Sequence, residues 1–288
     1  MIQNNSFFRS NKKFQDAVKI LDEGLTYADP QIGLSRYFSK NKIKTTKSTI
    51  NLKEFENVYL VAIGKAADSM AKFVLSKIIL KSGIVVLPSD YKPIFTTKKI
   101  RFFMSGHPLP NLQSLKAGKY IQKFVNSTTK NDFIIFLISG GGSSLVTLPS
   151  GITLEEKICV NHELIQCGAN INEISCARKH ISDIKGGKLI QKMRSSGISF
   201  ILSDVICDDL SSISSGITYA DKTTFSDALK IIKKYKIEKK ISRNVISMLK
   251  DGINGKIPET PKKSKLTNII IGNNKSSLVK MMNKAKNL

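Results

Sequence analysis

A short run of almost wholly apolar residues is followed by three glycines in the middle of this chain: Phe133–Ser139, FIIFLIS, precedes Gly140–Gly142. A strand of this composition has no polar face to present to solvent, so both of its faces are expected to be buried, as in a parallel sheet covered by helices. Similar runs occur at Val58–Gly64, Gly83–Ser89 and Gly197–Val205. These runs predict the buried strands of a mostly parallel β-sheet.

Helical patterns lie between the apolar runs. After the first run, apolar residues recur at the spacing of one helix face, at Ala67, Met70, Ala71, Val74 and Ile78. Asn111 is expected to cap a second helix, and Thr153 with Glu156 forms the capping box of a third. This alternation predicts an α/β fold: a doubly wound, Rossmann-like, mostly parallel sheet with helices on both faces.

The C-terminal part of the chain has a different composition. Residues 251–265 contain two glycines, two prolines and several lysines, a composition typical of a linker. We therefore expect one α/β domain over residues 1–250, a linker over 251–265, and the truncated start of a second α/β domain over 266–288. One strand and one helix cannot bury a core alone, so this last unit must dock on the first domain or belong to something absent.

The charge of the chain is strongly positive. It has 46 Lys and Arg against 22 Asp and Glu, a net charge of +24, which is compatible with a polyanionic partner. Only six of the basic residues are arginines, the residue that base readout and bidentate phosphate contacts favour. We therefore interpret the excess mainly as solvated lysines and expect no specific nucleic-acid partner.

The apolar runs and the N-terminal sequence exclude several classes of protein. The longest purely apolar run, Phe133–Ile138, is far shorter than the roughly 20 residues that span a bilayer. Residues 1–14 are polar and lack the apolar region of a signal peptide. We expect a cytoplasmic protein with no membrane partner. No C-x-x-C or H-E-x-x-H motif occurs, so no protein-held transition metal is expected.

Polar loops follow the predicted strands. They contain Gly64–Lys65, Ser105–Pro108, Ser139–Ser144 and Ser203–Asp204. Ligands of open parallel sheets bind beyond the carboxyl ends of the strands, so these four loops are expected to converge on one cleft.

The glycine-rich loop is the first candidate site. Its members are Ser139, Gly140, Gly141, Gly142, Ser143 and Ser144. Glycines let backbone N–H groups approach a phosphate, and the hydroxyls add donors. A phosphate or nucleotide cradle is favoured over the alternative, a flexible turn.

Charged residues at the other loops supply further candidates. Lys65 precedes a helix, where its charge would help to hold a transferring phosphoryl group. Asp204 at a strand end is expected to be a base or a metal-ion ligand, although a helix-capping role fits the local sequence equally well. Arg178, His180 and Lys185 are candidates for binding a carboxylate or phosphate of the substrate, and so is His107. A structural role for His107 and a solvated helix face for the others are the alternatives.

Familiar nucleotide motifs are missing. No Walker A loop, G-x-G-x-x-G or protein-kinase motif occurs, nor does a G-x-S-x-G elbow. A serine hydrolase would have to use Ser143 or Ser144 outside its usual context. The residues by themselves predict a parallel α/β enzyme with an anion-binding cleft that handles phosphate.

Longer motifs occur in order along most of the chain: I-G-K-A-A-x-x-M-A (63–71), S-G-H-P-L-P-N (105–111), L-I-S-G-G-G-S-S-L (137–145), R-K-H-I-S-x-I-K-G-G-K-L (178–189), L-S-D-V (202–205) and I-I-G-N-N (270–274). Together they resemble the glycerate 2-kinase family, which has an N-terminal α/β domain and a C-terminal domain called MOFRL. The resemblance implies phosphorylation of glycerate at its 2-hydroxyl to 2-phosphoglycerate, with ATP and Mg²⁺ as cofactors. The sequence leaves open whether the protein forms a homodimer. It places Lys65 and Asp204 at the family's active-site lysine and aspartate.

The chain also departs from the family pattern. Cys207-Asp208-Asp209-Leu210 and Ser215-Gly216-Ile217-Thr218 stand where the family usually has G-D-P-L and S-G-P-T. The family's MOFRL domain supplies an active-site arginine that no residue here matches, since the sequence stops at Leu288. We therefore expect a truncated chain with an incomplete active site. A nonenzymatic nucleotide- or polyanion-binding remnant is the alternative.

Overall fold

The computed structural model describes residues 11–288, and residues 1–10 of the polar N-terminal stretch lie outside the described part. The strands are β1 (Phe38–Ser39), β2 (Lys42–Lys44), β3 (Thr49–Asn51), β4 (Asn57–Ile63), β5 (Ser82–Pro88), β6 (Ile100–Ser105), β7 (Asp132–Ile138), β8 (Ser196–Leu202) and β9 (Thr267–Gly272). The helices are α1 (Lys12–Ala28), α2 (Pro30–Ser35), α3 (Ala67–Lys77), α4 (Leu112–Asn126), α5 (Gly142–Leu145), α6 (Leu154–Gln166), α7 (Ile171–His180), α8 (Lys188–Gln191), α9 (Phe225–Lys234), α10 (Arg243–Ile253) and α11 (Asn274–Lys286).

The large sheet has the order β6-β5-β4-β7-β8-β9, and every neighbouring pair in it is parallel. The chain enters at β4, moves outward through β5 and β6, and returns to the other side of β4 as β7. The strand order therefore reverses between β4 and β7. This arrangement confirms the predicted doubly wound α/β fold.

Helices cover both faces of this sheet, as predicted. On one face α3 inserts Met70 and Val74 into a core with Leu60 and Leu137, and on the other face α4 packs beside Phe136. β7 is buried at every position, because its neighbours and both helical layers exclude water from an apolar strand. The caps at Asn111 and Thr153 are confirmed, each as a full capping box.

A third core lies among four helices, α6, α7, α9 and α10. Their apolar faces meet around Leu164, Phe225, Ile232, Val245 and Leu249. α9 begins with a capping box in which Thr224 accepts a hydrogen bond from the N–H of Asp227. This helical layer places α6 and α7 beside the carboxyl ends of the central strands, where they form part of the cleft described below.

A small antiparallel sheet, β1-β2-β3, precedes the large one and was not predicted. Its strands have two or three residues each, which is too short for a period-two pattern to be recognised in the sequence. Ile43 and Phe38 bury this sheet against the core that also contains α3.

The C-terminal segment docks on the first domain. β9 pairs with β8 as the last strand of the large sheet, and α11 packs against α1. α10 ends at Ile253, inside the predicted linker, and Glu259 and Thr260 of that stretch make hydrogen bonds to the domain. That this segment begins a second domain stays a prediction.

Among residues 11–288, no helix is both long enough and apolar enough to cross a lipid bilayer.

Backbone strain is concentrated after β8. Cys207 is exposed and has φ of 64°, in the left-handed region that glycine adopts without steric cost. We expect Cys207→Gly to raise the free energy of unfolding by roughly 0.5–1 kcal/mol, because relief of strain outweighs the entropy that glycine adds to the unfolded chain. Urea unfolding midpoints measure this change. Cys207→Ala, which keeps a Cβ, is the matched control, and equal midpoints for the two variants would contradict the expectation.

Candidate active site

The reversal of strand order brings two loops together. Beyond β4 and β7, the N–H of Ser139 donates to Ile63 O (2.9 Å) and the N–H of Lys65 donates to Gly140 O (3.0 Å). The N–H of Ala66 donates to Ser139 Oγ at 3.1 Å. These bonds fix the loop after β4 against the glycine-rich loop at the position where open α/β sheets bind ligands.

The glycines of this loop make room for three functional side chains. A methyl group added at Gly141, whose φ is +85°, would lie 3.0 Å from His107 Cδ2 and 3.5 Å from Lys65 Cε. One added at Gly140 would overlap the Asp204 carboxylate. Lys65, His107 and Asp204, predicted from three different loops, therefore lie against two consecutive glycines.

The cleft at this place has a volume of about 400 Å³. Its lining includes His107, Gly140, Gly141, Asp204, Arg178 and Lys185. Lys65 stands at its edge against Gly141. α6 and α7 complete the wall with isoleucines. The cleft therefore combines cationic groups and backbone amides with an apolar wall, a combination suited to a small charged ligand.

The serine hydroxyls of the loop make contacts inside the protein; that they also donate to a phosphate stays a prediction. Ser143 Oγ lies 2.9 Å from Ser215 Oγ, and Ser144 Oγ donates to Gly141 O at 3.1 Å. Ser139 Oγ accepts from a backbone amide. Within the described chain, the amides of Gly140 and Gly141 make no hydrogen bond, so they are the donors that the loop offers to a ligand. In the part of the chain that the structure describes, neither Ser143 nor Ser144 hydrogen-bonds to a histidine, the base that most often activates a serine nucleophile.

Asp204 follows the end of β8 at Leu202 and is exposed. The next helical turn, Ile206–Asp208, has Val205 at its N-cap position and no side-chain cap, so Asp204 does not cap it. In the part of the chain that the structure describes, its carboxylate has no hydrogen-bond donor. Asp204 is therefore free to bind a hydroxyl proton or a cation in the cleft.

Arg178 and Lys185 both line the cleft, as predicted, and both are anchored. Arg178 Nε donates to Asn161 Oδ1 at 2.9 Å, which leaves its two terminal amino groups for a ligand. Lys185 Nζ donates to Gly142 O (2.9 Å) and Ser214 O (3.2 Å), so it also braces the glycine-rich loop. Burial, with the charges of Lys157 and Arg178, holds the pKa of Lys185 well below its usual range.

His107 is half-buried at the mouth of the cleft. Burial and the charge of Lys65 lower the pKa of His107 below its ordinary value, although Asp90 opposes them. The imidazole is therefore neutral at pH 7 and can both accept and donate a hydrogen bond.

The structure does not place His180 in the cleft, in contrast to the prediction. Its ring is fully buried, with Nδ1 2.8 Å from Cys176 O and Nε2 3.0 Å from Glu259 Oε1. Because α7 turns this residue toward α9, its ring packs against Phe225 instead. His180 belongs to a buried network in which Asp221 and Lys179 form the ion pair.

That ion pair is the most deeply buried charged contact of this region. Lys179 Nζ lies 2.6 Å from Asp221 Oδ1, and neither side chain is more than 3% exposed. We expect Asp221→Asn to lower the free energy of unfolding by about 3 kcal/mol or more, because it leaves the Lys179 charge buried without a partner. Urea unfolding at pH 7 measures this loss. The double variant Lys179→Met/Asp221→Asn is the control and should recover much of it, whereas equal loss in both would contradict the argument.

The same pair has a defined pH dependence. Burial alone raises the pKa of Asp221, but the hydrogen bond and charge of Lys179 outweigh it and the net shift is downward. A lowered carboxyl pKa stabilises the fold above the unfolded-state value and loses that effect as pH falls. The stability difference between the wild type and Asp221→Asn should therefore shrink below about pH 4.

Sequence analysis missed one cationic group of the cleft, Lys157. It occupies the buried face of α6 together with Leu154, Val160, Asn161 and Leu164. The sequence signal was a lysine at an apolar position of the helix that the Thr153–Glu156 capping box opens.

Comparisons with known proteins add independent observations. The family described as a domain of unknown function, DUF4147, matches residues 16–250. A glycerate 2-kinase of Pyrococcus horikoshii is 35% identical over 94% of this chain and 62% of its own length. A D-glycerate 2-kinase of Thermotoga maritima is 39% identical over 70% of this chain and 48% of its own length.

Solved structures agree with these sequence matches. The crystal structure of a glycerate kinase from Thermotoga maritima superposes with a TM-score of 0.80 at 30% identity, covering 95% of this chain and 62% of that one. A Pyrococcus horikoshii protein gives a TM-score of 0.85 at 33% identity, over all of this chain and 64% of that one. The chain thus spans less than two thirds of the length of these relatives.

Proposed function

This chain belongs to the glycerate 2-kinase family, whose N-terminal domain it contains as DUF4147, and on that premise we propose that it acts in the ATP-dependent, magnesium-assisted phosphorylation of glycerate. The 2-hydroxyl is the acceptor and 2-phosphoglycerate the product. Relatives named glycerate 2-kinase support the substrate and the reaction.

The observation that carries the proposal is the convergence of three loops on Gly140 and Gly141. Asp204 lies against the first glycine, and Lys65 and His107 lie against the second. Catalysis of phosphoryl transfer consists mainly of positioning and charge neutralisation. A carboxylate, an ammonium and free backbone amides at one point are the groups which that reaction needs.

Each of these residues has a specific proposed role. Lys65 neutralises charge that develops on the transferring phosphoryl group. Asp204 accepts, or orients, the proton of the attacking hydroxyl. The amides of Gly140 and Gly141 hold phosphoryl oxygens. His107 contacts the substrate as a neutral hydrogen-bonding group.

The residues present fit Mg-ATP. Mg²⁺ in nucleotide sites is bound by one or two carboxylates together with phosphate oxygens and water. Asp204 is the carboxylate that lines this cleft, whereas the oxygens of Asp209 are held by Ser211 and Ser212. The metal would be held by Asp204 and would supply charge neutralisation at the phosphates.

The test is phosphorus NMR of the purified chain with Mg-ATP and D-glycerate. We expect resonances of 2-phosphoglycerate and ADP. The same experiment with a MOFRL domain of a relative added in trans tests whether that domain completes the site. Unchanged ATP in both experiments would contradict the proposal. Affinity for polyanions that falls steeply with salt and ignores glycerate would then favour the nonenzymatic alternative.

A further inference from the structure

One buried amine in the cleft wall has no hydrogen-bond partner among the described residues. Lys157 lines the cleft wall from α6, is only 3% exposed, and its Nζ makes no hydrogen bond within residues 11–288. Burying an amine without a hydrogen bond or counter-ion is costly, so Lys157 calls for a partner that the described residues do not supply.

The surroundings of Lys157 are cationic. Arg178 on α7 and Lys188 on α8 act on Lys157, and Lys157 in turn acts on Lys185 in the loop after α7. Among the described residues, Asp183 is the carboxylate that opposes these cations at Lys157. The nearest cations are already oriented by neutral groups: Arg178 by Asn161, and Lys185 by two backbone carbonyls. The missing partner is therefore an anion.

We propose that Lys157 and the terminal amino groups of Arg178 form a subsite for the carboxylate of the hydroxy-acid substrate. The inference rests on the proposed function for the identity of that substrate. Arg178 offers the paired donors that suit a carboxylate, and Lys157 adds a point charge behind it.

The position of the subsite fits a 2-hydroxy acid. In such a molecule the carboxylate is attached to the carbon that bears the reacting hydroxyl, so the two binding sites must adjoin each other. Lys185 connects them: its Nζ donates to Gly142 O of the glycine-rich loop, and the charge of Lys157 lowers the pKa of Lys185. The phosphoryl groups have their own donors in Lys65 and the amides of Gly140 and Gly141.

Occupation of the subsite changes the protonation of Lys157. Burial, followed by the charges of Arg178 and Lys188, lowers the pKa of Lys157 to about 7, against the opposing effect of Asp183. A bound carboxylate favours the charged form and raises that pKa again. Binding therefore takes up a proton, and the affinity should fall about tenfold for each pH unit above 7.

The test is isothermal titration calorimetry of the chain with D-glycerate at several pH values, in buffers of different ionisation enthalpy. Lys157→Met keeps the stem and removes the charge, and Lys119→Met, on the exposed face of α4, is the matched control. We expect Lys157→Met to weaken D-glycerate binding about 10- to 100-fold at pH 7 and to abolish proton uptake. Inorganic phosphate and ATP should bind the variant as they bind the wild type.

The melting temperature of Lys157→Met distinguishes a structural role for Lys157 from a role in ligand binding. Removing an unpartnered buried charge should leave the melting temperature unchanged or raise it, whereas loss of a structural contact would lower it. If the affinity of Lys157→Met for D-glycerate equals that of the wild type, the inference is overturned. If this variant also binds inorganic phosphate more weakly, Lys157 serves a phosphate site instead.

Failure of the subsite and failure of the proposed reaction give different results. If glycerate binds as described but no 2-phosphoglycerate forms, either with or without the added MOFRL domain, the subsite is supported and the proposed reaction is wrong. If Lys157→Met forms 2-phosphoglycerate with an unchanged KM for glycerate, the reaction is supported and the subsite is wrong.

Discussion

Asp204→Asn should lower kcat roughly 10³-fold, the usual size of a general-base contribution. The asparagine amide has the same shape as the carboxylate, but it can neither accept the hydroxyl proton nor hold a divalent cation with a full charge. Because Asp204 is exposed and makes no hydrogen bond in the described part of the chain, its replacement should leave the urea unfolding midpoint unchanged. Loss of turnover without loss of stability is the expected signature.

The measurement is the rate of 2-phosphoglycerate formation under saturating Mg-ATP and D-glycerate. Asp251→Asn is the matched control, since Asp251 pairs with Lys256 on the surface of α10 away from the cleft. A kcat for Asp204→Asn within threefold of the wild type would remove Asp204 from the reaction.

Lys65→Ala is the second variant with a large expected effect, a decrease in kcat of about 10²- to 10³-fold. The end of its side chain lies beside Gly141, whose N–H makes no hydrogen bond among the described residues, and charge on the phosphoryl oxygens increases in the transition state. Removing a group that acts there lowers kcat more than it raises the KM for either substrate. Since the structural contact of Lys65 is its backbone N–H bond to Gly140 O, the fold should persist.

Steady-state kinetics with each substrate varied in turn separate these effects. Lys72→Ala removes an exposed lysine from the same helix, α3, and should leave kcat and both KM values unchanged. If Lys65→Ala raised only the KM for ATP, the residue would bind the ground-state nucleotide and the assigned role would be wrong. A second expected consequence is a higher pKa for His107, because the charge of Lys65 lowers it in the wild type.

Much of the fold was predictable because its strands are extreme in composition. β7 is apolar from Phe133 to Ile138 and is buried at all seven positions, and the capping boxes at Asn111 and Thr153 start helices at the expected residues. The small antiparallel sheet around Ile43 was missed, since segments of two or three residues contain no periodicity. The strain at Cys207 has a counterpart in the sequence. The glycerate 2-kinase family usually has glycine at this position, and the backbone of Cys207 has the positive φ that glycine adopts without steric cost.

The candidate site was predictable in part. Lys65, His107, Asp204 and the glycine-rich loop come together because parallel strands end at one edge of a sheet, a consequence of topology that sequence order already indicates. The prediction placed His180 in the cleft, but the structure does not. Both His180 and its neighbour Lys179 on α7 are buried, so the spacing of residues could not show which face of this helix points to the cleft.

The sequence by itself determined the buried strands β4, β5, β7 and β8, the starts of the capped helices α4 and α6, and which loops carry glycines and charges, because these depend on local composition and on period. Only the tertiary structure decided which polar atoms are already satisfied. It binds the hydroxyls of Ser143 and Ser144 internally, places His180 against Glu259, and leaves the Lys157 amine without a partner among the described residues. The reason is that hydrogen-bond satisfaction and desolvation depend on atoms brought together from distant parts of the chain, about which the local sequence contains no information.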